Sequence, residues 1–399
     1  MSHKPYSTRA QKITASTTMR IDAQYKQMLA EGQDVIGFGA GEPDFDTPEH
    51  IKAAGIAAIE NNLTRYTPPA GTEELRKAVC KRFKANKGLD YAPSQIVVSS
   101  GGKHNLYIAL ACLLNPGDEV ILPTPYWVSY KEQIEMCGGV VVEVNCDKGD
   151  RFELDVDDIA HVITPKTKVM ILNSPSNPTG MVVPRETLEK IAMLCVEHEI
   201  FVISDEIYSK LVYEGTFTSI AAISPKMKDL TVVLSGVSKS FAMTGWRVGY
   251  VAANQELATL MANYQSHSTS SPATMAQKAA AVALSGDQSC VEALRDVFHK
   301  RRDLFLAKAD EIPLVKVIRP QGAFYVMMSI EALLGKTLYG KVINNADDFA
   351  ELLLQKACVA VVPCGGFGAP NYLRWGYATS DENIVKGLER LKVFIEGAM

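Results

Sequence analysis

Residues 235–250 read SGVSKSFAMTGWRVGY, and the rest of the chain takes its meaning from them. Lys239 follows an apolar run, Leu230 to Leu234, sits among small hydroxylated residues, and is trailed eight positions later by Arg247. A lysine amine can attack an aldehyde only when it has lost its proton, and burial or a nearby cation lowers its pKa to that end. Arg247 would be the cation and could hold an anionic group as well. A lysine in a polar surface turn looks the same when taken alone, so the choice between the two rests on the surrounding sequence.

Working outward, strands alternate with helices from Gln95 to Tyr250. The pattern predicts strands at 95–99, 119–123, 140–144, 168–172 and 200–204 and near 231 and 247, with helices at 103–114, 126–136, 155–163 and 184–197 between them. Such alternation implies an α/β fold, a mostly parallel seven-stranded sheet sandwiched by helices. Ligands of such sheets bind at the carboxyl ends of the strands. Beyond Ser268–Pro272 the pattern turns helical, with a long charged helix at 288–311. Strands at 314–318 and 323–329, a helix at 346–356, strands at 358–362 and 371–375, and a last helix from 381 predict a smaller α+β domain. The expected division is an N-terminal segment 1–45 packing with the small domain, a large domain 46–290 and a C-terminal domain 291–399.

Upstream come a helical pattern at 21–30, a strand at 35–39 and the loop AGEPDFDTP (40–48), where Gly41 leaves its N–H open to close approach. A helix at 48–61, the segment RYTPPAG (65–71) and a helix opened by Thr72 follow.

Four strand ends carry groups suited to one ligand. SSGGKHN (99–105) joins a strand to a helix start, where free N–H groups and the helix dipole favour a phosphate and Gly101 and Gly102 permit close approach. PTPYWVSY (123–130) places Trp127 where an indole could stack on a flat ring. NSPSNPTG (173–180) offers Asn177 to a ring oxygen. FVISDEIY (201–208) ends a buried strand in Asp205, with Tyr208 three residues on. A buried carboxylate is costly unless paired, and a protonated heteroaromatic nitrogen would pair it. Each match has a plainer use as a turn, a cap or a core aromatic; together with Lys239 they meet the requirements of pyridoxal 5'-phosphate.

Composition leaves room for this reading. The 399 residues are 47% apolar and 22% charged, with a net charge of −4, which disfavours nucleic acid or an anionic membrane as partner and favours small molecules. Eight scattered cysteines, without CxxC or His at metal-ligand spacing, read as reduced core residues and predict no metal site. The first residues lack the apolar stretch of a signal peptide and no apolar run reaches membrane-span length, so a cytoplasmic protein is expected. GKT at 335–337 is not the end of a phosphate loop, because the first glycine would fall at 330, which is Ile.

With AGEPDFDTP, YTPPAG, NSPSNPTG, SDEIY and SKSFAMTGWRVGY in order and nearly end to end, the chain resembles the fold-type I pyridoxal-phosphate aminotransferases of class I, and closely the bacterial subgroup Ib aspartate aminotransferases. The resemblance implies that Lys239 is the Schiff-base lysine and proton shuttle. It implies that Asp205 holds the ring nitrogen protonated, that Tyr208 and Asn177 bond the ring hydroxyl, and that Trp127 stacks on the ring. Phosphate would be held by Arg247, Ser238, the N–H groups of Gly102 and Lys103 in the Gly101 turn, and Tyr66 from the second subunit of a homodimer. The substrate α-carboxylate would meet Arg374 of YLRWGYATS (372–380), the N–H of Gly41 and the amide of Asn177.

Two departures from relatives matter. Gly236 stands where many carry Ser, which leaves one phosphate hydroxyl in doubt. No Arg occurs from 248 to 294, where the better-known subgroup draws the partner-subunit Arg for the distal carboxylate. In subgroup Ib that role belongs to the lysine of the GGK turn, here Lys103, helped by Ser16 or Thr18. The expected activity is amino transfer from L-aspartate to 2-oxoglutarate by a ping-pong route. Aromatic amino acids, prephenate or alanine remain alternatives, and a carbon–sulfur lyase a lesser one. A regulator built on the same domain would need a DNA-binding domain ahead of residue 40, for which no room is expected.

Overall fold

The structure, a computed structural model, describes residues 6, 7, 10, 11, 13 and 17–398, and the backbone alone for residues 17–20 and 22. In chain order the strands are β1 (Ile36–Gly37), β2 (Ile96–Ser99), β3 (Glu119–Thr124), β4 (Val140–Asn145), β5 (Thr167–Asn173), β6 (Phe201–Asp205), β7 (Thr231–Gly236) and β8 (Gly249–Ala252). There follow β9 (Lys316–Ile318), β10 (Tyr325–Ser329), β11 (Thr337–Leu338), β12 (Lys341–Val342), β13 (Val359–Ala360), β14 (Val362–Pro363) and β15 (Tyr372–Gly376).

Strands β2 to β8 form the seven-stranded sheet, in the order β2-β8-β7-β6-β5-β3-β4. Only β8 runs against its neighbours, β2 and β7. The central strands are nearly unbroken apolar runs because both of their faces are covered. Their side chains alternate between two cores: Val169 and Ile171 of β5 pack with Leu106 and Leu110 of helix Gly102–Leu113, while Met170 and Leu172 pack with Leu188 and Ile191 of helix Arg185–Glu197.

A second sheet, antiparallel in the order β14-β15-β10-β9, lies over helices Ser289–Ala309, Ala346–Ala357 and Asp381–Glu396. Its core gathers Phe298, Phe305, Phe349, Trp375 and Phe394. In the N-terminal segment β1 pairs with β13 in parallel, and Phe38 packs 4.8 Å from Trp375. Gly387 makes that possible, since a Cβ there would lie 2.4 Å from the Phe38 ring.

Several expectations are corrected. The strand anticipated at 358–362 is two strands in two different sheets, and it starts only after Cys358, whose backbone is left-handed at φ 54°. The strand near 247 begins at Gly249, because Arg247 is also left-handed at φ 54° and follows a 3-10 turn. The helix read from 126 starts at Ser129, which leaves Trp127 in a loop. Helices Gln255–Ser266 and Thr274–Ser285 are distinct elements ahead of the long one. All eight cysteines are free, but only Cys146, Cys195 and Cys364 are buried. Among the described residues no helix is long and apolar enough to cross a membrane, and no group of side chains could hold a metal.

Candidate active site

The carboxyl ends of β5, β6 and β7 converge on a cavity of about 380 Å³ that the second sheet closes from the other side. Asp205 ends β6 and is 5% exposed. Tyr130 donates to its Oδ2 at 2.8 Å, the Ile207 N–H donates to its Oδ1 at 3.2 Å, and Asn173 Nδ2 donates to its main-chain oxygen at 2.9 Å. Burial pushes its pKa up to about 6 against the pull of the Tyr130 and Ile207 donors. The neighbouring carboxylate has the opposite fate. Glu206 lies outside the cavity, where Lys87 pairs with it and Ser204 and Ser219 donate to it. Among the described residues Asp205 has no cation within ion-pair reach, so of these two neighbours the one without a counter-charge faces the cavity.

Lys239 lies in the turn after β7, and its Nζ donates to the main-chain oxygen of Gly41. Burial draws its pKa down to about 8, with Arg247 and Arg374 assisting and Glu42 opposing. An amine so placed is a usable nucleophile and base near neutral pH.

Gly101 caps the helix Gly102–Leu113 at φ 89°, and a Cβ there would stand 2.4 Å from Arg247 Nη2. Gly101 therefore lies behind the wall, giving the guanidinium its seat, while Gly102 lines the cavity itself. Arg247 is tied back by a bond from Nη1 to the Thr244 oxygen at 2.9 Å. Lys103 reaches the cavity with its Nζ 4.8 Å from the Trp127 ring centre, and burial and then Arg247 lower its pKa. A helix start with Arg247 beside it suits a phosphate dianion. Ser238 lines the same corner. Gly236, by contrast, does not line the cavity; a Cβ there would come within 3.1 Å of Ile207 and 3.2 Å of the Val248 oxygen, so these neighbours would have to give by a few tenths of an ångström to admit a Ser.

Arg374 comes from β15 and is 2% exposed. Its Nη1 donates to Asn177 Oδ1 at 3.0 Å and its Nη2 to the Gly39 oxygen at 2.9 Å, while Nε has no partner. Among the described residues no carboxylate lies within ion-pair reach, so a buried guanidinium faces the cavity with its charge uncompensated. Tyr208, 4% exposed, meets Tyr325 hydroxyl to hydroxyl at 2.9 Å.

Of the residues singled out from sequence, Gly41, Gly102, Lys103, Trp127, Asn177, Asp205, Tyr208, Ser238, Lys239, Arg247 and Arg374 line one cavity. Tyr66 is 95% exposed and outside it. Ser16 and the side chain of Thr18 lie outside the described residues. The sequence reading missed Tyr130, Asn173 and Tyr325. The first two stood within quoted motifs as the end of PTPYWVSY and the start of NSPSNPTG; Tyr325, in an apolar strand of the other sheet, carried no local signal.

The fold and the cavity thus define an α/β protein with a buried lysine and further cations lining one cavity. The chain belongs to the aminotransferase class I and II family, whose family model matches residues 33–391. It is 46% identical over 391 residues to an aspartate aminotransferase of Bacillus sp. strain YM-2, covering 98% of this chain and 99% of the relative. To an aspartate/prephenate aminotransferase of Thermus thermophilus it is 42% identical, covering 96% and 97%. Among solved structures, a Thermus thermophilus aspartate aminotransferase with maleate superposes with a TM-score of 0.92 at 41% identity, covering 98% of this chain and 99% of that one. A Rhizobium meliloti aspartate aminotransferase does so with a TM-score of 0.94 at 39% identity, covering 99% of both. Pyridoxal phosphate, the cofactor of this family, fits the residues present: the buried Asp205 has no cation beside it, Gly102 and Arg247 could cradle a phosphate, and Lys239 could supply the amine.

Proposed function

We propose that the protein transfers an amino group from L-aspartate to 2-oxoglutarate, giving oxaloacetate and L-glutamate by a ping-pong route with pyridoxal 5'-phosphate as cofactor. The bound cofactor supplies an electron sink for the charge left at the substrate's α-carbon. With the cofactor bound, Asp205 would keep the ring nitrogen protonated, Tyr208 and Asn177 would serve the ring hydroxyl, and Trp127 the ring face. The main-chain N–H groups of Gly102 and Lys103, with Ser238 and Arg247, would hold the phosphate, leaving the Lys103 ammonium to the substrate. Lys239 Nζ takes the proton from the substrate's Cα. Arg374, Asn177 and the Gly41 N–H hold the α-carboxylate, a task to which a planar guanidinium is matched.

The observation that carries the substrate is a pair of cations facing one cavity from opposite sides, Arg374 from β15 and Lys103 from the helix after β2. A dicarboxylic acid spans two such charges, and the superposable Thermus structure is that of an enzyme with maleate, a dicarboxylate. Prephenate is a second reading, supported by the names of relatives at 42–44% identity. In half-reactions against a panel of amino acids, Lys103→Ala should lower kcat/KM for aspartate and glutamate by about 10- to 100-fold and leave alanine within a few-fold. An equal loss for every substrate would mean that Lys103 serves the cofactor or the fold instead.

The same reading makes the active unit a homodimer in which Tyr66 serves the neighbour's phosphate; its 95% exposure in one chain supports this. Mixing Tyr66→Phe with Lys239→Ala subunits tests it: the lysine-bearing site should retain wild-type cofactor affinity only if its neighbour contributes Tyr66. We further assign domains 1–45, 46–290 and 291–399, with the last junction in the first turn of helix Ser289–Ala309. There Val291 packs with the large sheet and Leu294 with the second core. Proteolytic nicking within 46–290 ahead of these junctions would argue against that division. A cytoplasmic location is supported by eight unpaired cysteines, and fractionation checks it.

A further inference from the structure

Tyr325 stands where three functions meet. Its hydroxyl lies 2.9 Å from that of Tyr208, its ring lies under the Arg374 guanidinium at 4.6 Å, and a Cβ on Gly41 would come within 3.2 Å of its oxygen. Gly41 in turn accepts from Lys239. The side chain is 1% exposed, so it holds this position without competition from water. A phenol carries one proton. If Tyr208 gives its proton to the cofactor's ring oxygen, the 2.9 Å contact can be kept only when Tyr325 donates to Tyr208.

We infer that Tyr325 is a positioning residue, a relay through which the carboxylate-binding Arg374 acts on the hydrogen bond that Tyr208 makes to the cofactor ring. The inference rests on the reading of Tyr208 as partner of the ring hydroxyl. An acceptor that is itself hydrogen-bonded is a stronger donor, so Tyr325 sharpens Tyr208. The Arg374 charge above the ring acidifies the Tyr325 hydroxyl and sharpens it further, and a carboxylate on Arg374 cancels that charge. Substrate arrival is thereby transmitted to the ring oxygen without movement of the backbone.

The readout is the pH at which the absorbance of the lysine-bound cofactor changes in the holoenzyme. The charged groups facing the Lys239 nitrogen are Glu42, Arg247, Arg374 and Asp205, with Lys103 on the same cavity wall, and the two phenols face Arg374, Asp205 and Glu42. Tyr325→Phe keeps the ring and removes none of these charges. A weakened Tyr208 leaves more negative charge on the ring oxygen, which holds the adjacent proton more firmly. The transition should therefore move up by about 0.5–1 pH unit, the effect of one modest hydrogen bond. Tyr208→Phe alone should move it further in the same direction, and adding Tyr325→Phe to it should move it no more. Saturating maleate should raise the transition in the wild type, and in Tyr325→Phe by about half as much.

If Tyr208→Phe shifts the transition while Tyr325→Phe does not, or if the two shifts add in full, the relay is overturned and the reading of Tyr208 stands. An undiminished maleate shift in Tyr325→Phe would likewise overturn it. A Tyr208→Phe variant with no shift would overturn the reading of Tyr208 and the inference with it.

Discussion

The two sheets bring different kinds of group to the same cavity. The large sheet contributes groups whose ionisation is displaced: Asp205 raised to about 6 and Lys239 lowered to about 8, both chiefly by burial. The second sheet contributes Arg374, a buried charge steadied by Asn177 and the Gly39 oxygen. Groups held near their titration points suit proton chemistry, and a permanent charge in a rigid setting suits recognition. On the proposed reading the proton chemistry belongs to the parallel strand ends and the guanidinium for the α-carboxylate to the antiparallel strands, with Asn177 and Lys103 adding substrate contacts from the large-sheet side.

Breaking the chemical side should have the largest effect. Lys239→Ala should abolish the absorbance of lysine-bound cofactor and lower kcat by roughly 10⁴-fold or more, with the fold and cofactor binding retained. Single-turnover kinetics and a spectrum of the holoprotein check this, and an unchanged band would refute the assignment.

Breaking the recognition side should act on every substrate alike. Arg374→Ala should lower kcat/KM for aspartate and alanine by a similar factor, about 10²–10³, because it removes the charge that all α-carboxylates share. The absorbance of the lysine-bound cofactor should survive. Loss of that absorbance would show that the sheets do not divide the work.

The smallest effect sharpens the comparison through stability. The raised pKa of Asp205 gives the cofactor-free protein a contribution that is fully present below pH 3.8 and lost as pH rises through about 6. The lowered pKa of Lys239 gives one that is present above pH 10.5 and lost as pH falls through about 8. At neutral pH the apo protein forgoes both. Asp205→Asn removes the buried charge, which costs about 3 kcal/mol, and should raise the apo Tm at pH 7 by roughly 2–4 °C while lowering activity severely. At pH 4 the gain should be much smaller. Calorimetry at the two pH values decides, and an equal gain at both would mean that Asp205 is not ionised at pH 7.

How much of this was legible in the sequence depended on where each residue sat. Strand-end residues were readable because an apolar run announces the strand and the next few residues must lie at its mouth: Asp205, Asn177, Lys239 and Gly102 follow from that rule. Boundaries failed where backbone conformation departed from what the side chains advertise. Cys358 and Arg247 adopt left-handed φ in stretches whose composition reads as strand, and so β13 starts only at Val359 and β8 only at Gly249.

The sequence alone determined the alternating pattern, the two faces of each central strand, and the motif residues placed at strand ends, because these follow from local periodicity and chain order. Only the tertiary structure decided how the adjacent carboxylate Glu206 is neutralised. Lys87, 119 residues away, pairs with it outside the cavity, while Asp205 is left facing inward without a cation. Tyr325, too, was settled only by the packing of the second sheet over the first, which sets its hydroxyl beside Tyr208, 117 residues earlier. Contacts across such separations depend on how two sheets dock, and no periodicity within either segment records that.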